Sequence, residues 1–172
     1  MRIIGIDPGM KGALALIDTE LCTLAVIDMP VEAATKSRML TSPSGVAKAL
    51  HDTAPDALFL EEVGVQPGEG AVGAFSFGRG VGRIEGCAAG AMVSLWPIKP
   101  QEWKSRMNVP KDKVQAVTRA VQLFPSAASA FKGPRGGMKD GRAEAALIAL
   151  FGCIKLGCTP SKPLSLVEFP GA

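Results

Sequence analysis

Apolar and polar positions alternate in short blocks through the first third of the chain and in longer, helix-like blocks through the rest. Residues 2–7 (RIIGID) are Ile-rich and read as a buried strand that ends on Asp7 and breaks at Pro8-Gly9. Gly9 and Gly12 mark a tight turn. GALALID (12–18) is a second strand, and Thr19-Glu20 turns into a third, LCTLAVIDMP (21–30). Residues 31–43 read as polar and irregular. Ser44 is placed to cap a helix over VAKALHDTA, which Pro55-Asp56 ends. ALFLEEV (57–63) is a continuous apolar run that finishes on two acids, hence another strand. After the loop GVQPGEG comes a Gly-rich helical stretch over 71–92, then a strand at SLWPI (94–98). Helical patterns follow at PQEWKSRM and PKDKVQAVTRAVQLF. KGPRGGM (132–138) is a basic loop, and Asp140 starts a strong last helix, DGRAEAALIALFGCIKLG. The Pro-rich tail from about residue 157 is expected to wrap the surface.

Three strands in a meander, followed by strands reached through helical crossovers, predict an α/β fold: a mixed five-stranded sheet flanked by helices. This architecture resembles ribonuclease H. The whole chain, 1–172, reads as a single domain.

Four acids are placed to meet at one end of such a sheet. Asp7 ends the first strand and Glu61 ends the strand after the first helix. In this topology those strands are neighbours. Asp140 and Glu144 stand four apart on the last helix, hence on one face, about 6 Å apart along its axis. A carboxylate at the end of a buried strand costs several kcal/mol, on the order seen for unpaired buried charges, unless something pairs with it. Two hard divalent cations remove the conflict, because Mg²⁺ takes carboxylate oxygens and keeps waters. Two such ions about 4 Å apart stabilise the attacking and leaving oxygens of a phosphoryl displacement. Each acid also has a plainer reading. Asp7 is a turn residue before Pro8, Glu61 and Glu62 are solvated strand ends, and Asp140 and Glu144 are a helix cap and a first-turn acid. Jointly their positions favour the metal site. Of Glu61 and Glu62 only one faces inward, and Glu61 is preferred.

Composition narrows the classes. Nearly half of the 172 residues are apolar and a fifth are charged, which is globular composition; the net charge of +3 permits a nucleic-acid partner without requiring one. Cys22, Cys87, Cys153 and Cys158 form no CxxC pair and have no His ligand nearby, so zinc is disfavoured and reduced thiols are expected. No signal-peptide pattern precedes the first strand and no apolar run approaches the ~18 residues of a membrane span, so a cytoplasmic protein is expected. His51 is the lone histidine and sits mid-helix, which disfavours a His general base. A metal-activated water is then the expected nucleophile.

IGIDPGMKGALALID, FLEEV and KDGRAEAALIALFG, in that order and at this separation, resemble the RuvC-type Holliday-junction resolvases over roughly residues 2–152. FGRGVGRIEG, WPIKPQEWK and LFPS…KDGRAEAALIA look most similar to the branch found in plant chloroplasts and its phage-like relatives. The resemblance implies a ribonuclease-H-like fold in which Asp7, Glu61, Asp140 and Glu144 bind two Mg²⁺ ions, with Mn²⁺ as substitute. It also implies a homodimer that makes paired nicks in a four-way DNA junction, in a bacterial or phage-infected cell or in an organelle. Bacterial members commonly space the final acid pair three apart, whereas here it is four; both spacings share a helical face. Some relatives present an aromatic residue after the second acid. Phe75 and Phe77 are the candidates here, and both also read as core residues.

Basic residues flank the acids. Lys11 lies in the turn beside Asp7, and Arg79 and Arg83 share one helical face. Lys99, Lys104, Arg106, Lys111 and Lys113 cluster together, and Lys132, Arg135, Lys139 and Arg142 surround the last acid pair. Solvated surface is the ordinary meaning of such runs, yet the placement is that of a phosphate-binding rim. Lys104 and Lys111 match basic positions that relatives use near the scissile phosphate. Trp96 and Trp103 read as packing residues. The small residues around Gly78, Gly82 and Gly86 suit a close helix approach, either across a dimer interface or onto the sheet. GRGVGRIEG is close to a dinucleotide fingerprint but follows no apolar strand and has no acid about twenty residues on.

The leading reading is a junction-selective endonuclease. Its alternatives are another two-metal nuclease of the same fold, acting on RNA–DNA hybrid or branched DNA; an actin-like ATPase, which needs about twice this length; and a DNA-architectural protein, disfavoured by the complete acid set.

Overall fold

The computed structural model describes residues 1–35, 38–64, 68, 70–109, 113–133 and 136–172, with the backbone alone at 38, 113 and 114. Strands β1 (Arg2–Asp7), β2 (Ala13–Asp18) and β3 (Thr23–Asp28) form the antiparallel meander. A hairpin of β4 (Val31–Thr35) and β5 (Arg38–Thr41) then forms a separate two-stranded sheet where the sequence reads as irregular. Most of β4 is exposed, so neither of its faces carries the apolar alternation that marks a strand. Helix α1 (Pro43–Thr53) is capped by Ser42, not Ser44: the Ser42 hydroxyl accepts from the Gly45 N–H at 3.2 Å, and Pro43 occupies the first helical position.

Next come β6 (Ala57–Glu61), α2 (Ala71–Gly90), β7 (Ser94–Ile98), α3 (Pro100–Met107) and α4 (Lys113–Leu123). A 3₁₀ segment over Pro125–Phe131 leads to the loop before α5 (Asp140–Lys155), and β8 (Ser165–Leu166) lies in the tail. The main sheet has six strands among the described residues, in the order β7-β6-β1-β2-β3-β8, rather than the expected five. The sixth comes from the Pro-rich tail. β8 pairs in parallel with β3 through Ser165 N–H to Cys22 O and Val167 N–H to Leu24 O, both 3.0 Å. A two-residue strand is too short to leave a period in the sequence.

Successive strand residues point to opposite faces, and the two faces are covered by different helices. Ile4, Ile6, Leu58 and Leu60 pack beneath α1 and α2. Ile3, Ala57 and Phe59 pack on the other side, with α3, α4 and α5. α5 is buried on most of its circumference by small residues, which lets it lie directly on the sheet. The approach is closest at Gly5, where a Cβ would sit 2.2 Å from the Ala149 nitrogen and 2.3 Å from the Ala145 oxygen. Any side chain at Gly5 would lift the helix off β1. None of the described helices is long and apolar enough to cross a membrane.

Candidate metal centre

Strand parity decides which acids face α5. Ile3 and Gly5 point to that side of β1, so Asp7 does too; Ala57 and Phe59 point to it on β6, so Glu61 does too. β1 and β6 are parallel neighbours with Ile6 opposite Leu60, which sets Asp7 and Glu61 next to each other at the same sheet end. α5 crosses β1 at Ala145 and Ala149, so Glu144 arrives over that pair. Carboxylate oxygens of Asp7, Glu61 and Glu144 lie within 4.8 Å of one another. Glu61 is 6 % exposed, while Glu62, one residue on, faces solvent. The backbone near this junction is tight as well. A Cβ at Gly141 would lie 2.3 Å from the Lys11 oxygen and 3.0 Å from Asp7 Oδ2.

Asp140 opens α5 one turn before Glu144, with Lys139 as the capping residue, and lies outside this group of three. Its place in the first turn suits the helix dipole.

Two side chains from consecutive positions of α3 reach the group. Trp103, fully buried, donates its indole N–H to Glu61 Oε1 at 2.9 Å. Lys104 Nζ lies 3.2 Å from Glu144 Oε1, with 28 % of the Lys104 side chain and 13 % of the Glu144 side chain exposed. The ammonium also sits 5.0 Å from the Trp103 ring centroid. A hydrogen bond to a charged acceptor contributes about 1.5–3 kcal/mol where it is buried. The packing role expected of Trp103 is therefore only part of its role. Its indication in sequence is its neighbour: WK in the first turns of a helix that starts at the sheet end bearing the acids.

The three converging side chains are all carboxylates, hard oxygen donors in a largely buried setting. That donor set fits Mg²⁺ or Mn²⁺, which prefer carboxylate oxygen, and offers no thiolate or imidazole to a softer metal. The four cysteines are free thiols elsewhere in the fold, and burial pushes the Cys153 thiol up to about 12.

The other basic candidates divide by what they touch. Lys11, Arg79, Lys99 and Arg106 are exposed. Arg83 turns inward, pairing with Glu32 at 3.0 Å and donating to the Thr41 oxygen, so it ties α2 to the β4–β5 hairpin. Lys139 and Arg142 converge on Asp28 at 2.9 and 2.7 Å, and Arg142 also donates to the Ala130 oxygen. The hydrogen bond from Arg142, followed by that from Lys139, holds the Asp28 carboxyl below its ordinary range. Lys111, Arg135 and the Lys113 side chain lie outside the described residues. Phe75 is 72 % exposed and so not a core residue, whereas Phe77 lines a cleft of about 320 Å³ with Gly9, Met10, Leu40 and Val72. Trp96 stacks on Phe59, rings 5.8 Å apart, and stays 40 % exposed at the sheet edge. Gly78, Gly82 and Gly86 face open space, so they do not pack on the sheet.

With this geometry in hand, the likeness to solved structures is informative. Thermus thermophilus RuvC superposes over 93 % of this chain and 99 % of its own, with TM-score 0.61 and 18 % identity. The same protein in complex with a Holliday junction substrate covers 93 % of this chain and 98 % of its own, with TM-score 0.61 and 16 % identity. The yeast mitochondrial Holliday junction resolvase Ydc2 covers 86 % and 75 %, with TM-score 0.54 and 20 % identity. The fold is the ribonuclease-H-like fold of RuvC. No protein-family model matches the chain, and no curated protein matches it in sequence. At such identity the RuvC fold persists where most side chains differ, so the acids have to be argued from their own geometry.

Proposed function

We propose that this chain is a structure-selective DNA endonuclease that resolves four-way junctions by paired, symmetric nicks. The observation that carries the reading is the convergence of Asp7, Glu61 and Glu144 on a RuvC fold, at the sheet end over which α5 begins. Bound Mg²⁺, or Mn²⁺ in its place, with two ions per site, would supply charge stabilisation to an in-line displacement at phosphorus. Asp7, Glu61 and Glu144 would hold the ions, and Asp140 would join them from the preceding turn of α5. Lys104 orients Glu144 and brings a positive charge to where a scissile phosphate would lie. Lys11 and Arg79 extend the positive surface on one side, and Lys111, Lys113 and Arg135 are assigned to it from sequence. Lys139 and Arg142 contribute to that surface only as far as Asp28 leaves their charge uncompensated.

Two matched nicks need two sites, and a C₂ homodimer provides them. The Gly78, Gly82 and Gly86 face of α2 is open and free of side chains, which supports its use in that interface. Gly82→Leu is expected to shift a dimer towards monomer in ultracentrifugation with the fold intact; a monomeric wild type that makes both nicks at matched rates would contradict the paired-site account. The motifs FGRGVGRIEG and WPIKPQEWK support a place in the chloroplast and phage-like branch, and a cytoplasmic setting fits the same reading.

The deciding experiment offers a synthetic four-way junction, linear duplex and RNA–DNA hybrid in parallel, with Mg²⁺, Mn²⁺ or excess chelator. Metal-dependent cleavage of the junction alone is expected. Preference for the hybrid would assign the chain to the ribonuclease H alternative, and full activity in chelator would end the metal reading.

A further inference from the structure

We propose that Trp103 is a positioning residue for the acid group: its indole N–H fixes the plane of the Glu61 carboxylate and thereby sets how tightly the group takes a divalent cation. This rests on the metal reading given above. The bond is 2.9 Å long and joins two buried side chains 42 positions apart in sequence. Its geometry is built in by the chain on both sides. Glu61 is paired in register with Ile98, and the Glu62 N–H donates to the Ile98 oxygen at 2.8 Å. Only Lys99 separates Ile98 from Pro100, which opens α3, so the first turns of α3 are tethered to the end of β6.

An indole N–H suits this task. It donates and never accepts, and it carries no charge that competes with a cation. A Glu side chain is broad about its terminal torsion, and a fixed donor on one oxygen removes that freedom. Residues that orient a metal ligand in this way typically change metal affinity by about 10–100-fold when lost. Packing alone would be met by any large ring in that cavity. The N–H is the feature that packing does not explain, and Trp103→Phe removes it while keeping an aromatic ring.

Mn²⁺ binding to the full chain, followed by the electron paramagnetic resonance of the free ion, tests the proposal without reference to cleavage. Trp103→Phe is expected to weaken binding by about tenfold or more. Phe124→Leu, a core change in a ring that lies against Phe131, serves as the control for lost stability and should stay within about twofold of wild type. Unchanged Mn²⁺ affinity in a folded Trp103→Phe overturns the proposal. Should that variant fail to fold, Trp96→Phe leaves Trp103 as the one tryptophan of two. Paramagnetic Mn²⁺ should then quench its fluorescence with the midpoint seen by resonance, and Asp7→Asn should abolish the quench; absence of quenching at saturating Mn²⁺ overturns the proposal. A wild type that binds no Mn²⁺ would defeat the metal reading together with it, whereas a wild type that binds while Trp103→Phe binds equally well defeats this proposal alone.

Discussion

Two charged clusters sit at the same end of the sheet, and they are built oppositely. In one, Asp28 at the end of β3 meets two cations, Lys139 and Arg142, at 2.9 and 2.7 Å. In the other, Asp7, Glu61 and Glu144 crowd within 4.8 Å of one another with Lys104 on Glu144. The two are linked by strand register: Asp7 pairs with Ala13, and Ala13 with Asp28, so both acids lie in one row across the sheet beneath the start of α5. The Asp28 cluster is satisfied inside the chain and clamps the start of α5, with Lys139 before it, to β3. The three-acid cluster gathers like charges instead, a set of hard oxygen donors that could hold a metal ion. The difference also reassigns residues. Lys139 and Arg142 read in sequence as DNA contacts, and the fold gives them a structural partner first.

The contrast is broken most directly at the acids. Asp7→Asn, Glu61→Gln and Glu144→Gln are each expected to lower junction cleavage by more than about a hundredfold, beyond what loss of a merely orienting group gives. Junction binding in a gel-shift assay should persist. Loss of stability with cleavage retained would make this cluster a structural one, like that at Asp28.

Lys104→Ala lies between the two behaviours. Cleavage should fall by about tenfold or more with little change in Tm, and the salt dependence of binding should become shallower by roughly one counterion. Unchanged cleavage and salt slope would reduce Lys104 to a partner of Glu144 alone.

The smallest effect is expected at Asp28. Asp28→Asn should leave cleavage within a few fold and cost about 1 kcal/mol or less, since the carboxylate is 47 % exposed and screened by solvent. For a chain of this length that is a fall in Tm of about 2–4 °C. The pH dependence follows from the depressed Asp28 carboxyl. Its stabilisation is complete above the ordinary aspartate value of about 4 and is lost as pH falls from there through the lower folded value. Wild type and Asp28→Asn should therefore differ in Tm at pH 7 and converge in strong acid. A constant difference across that range would remove the ion pairs as its cause.

The periodic part of the molecule is legible in the chain itself. The apolar run RIIGID places Asp7 at a strand end, parity within ALFLEE separates Glu61 from Glu62, and DGRAEAALIALFG reads as a helix with Glu144 in its opening turns. These are local signals, set by the two-residue and 3.6-residue repeats. The β4–β5 hairpin and β8 left no such repeat, because one has no buried face and the other is two residues long.

Which local features meet is a matter of the fold. The Trp103 bond to Glu61 spans 42 positions, and the Arg142 bond to Asp28 spans 114. No spacing rule reaches that far. The first follows from β7 lying beside β6, which carries α3 to the end bearing Glu61; the second follows from the close seating of α5 on Gly5, where the absence of a side chain lets the helix backbone touch the strand. Which residues end strands and share helix faces is legible in the chain alone, since neighbouring backbone geometry dictates that. Which acids gather with one another and which meet cations was decided by packing, because charge interaction depends on distance in space rather than along the chain.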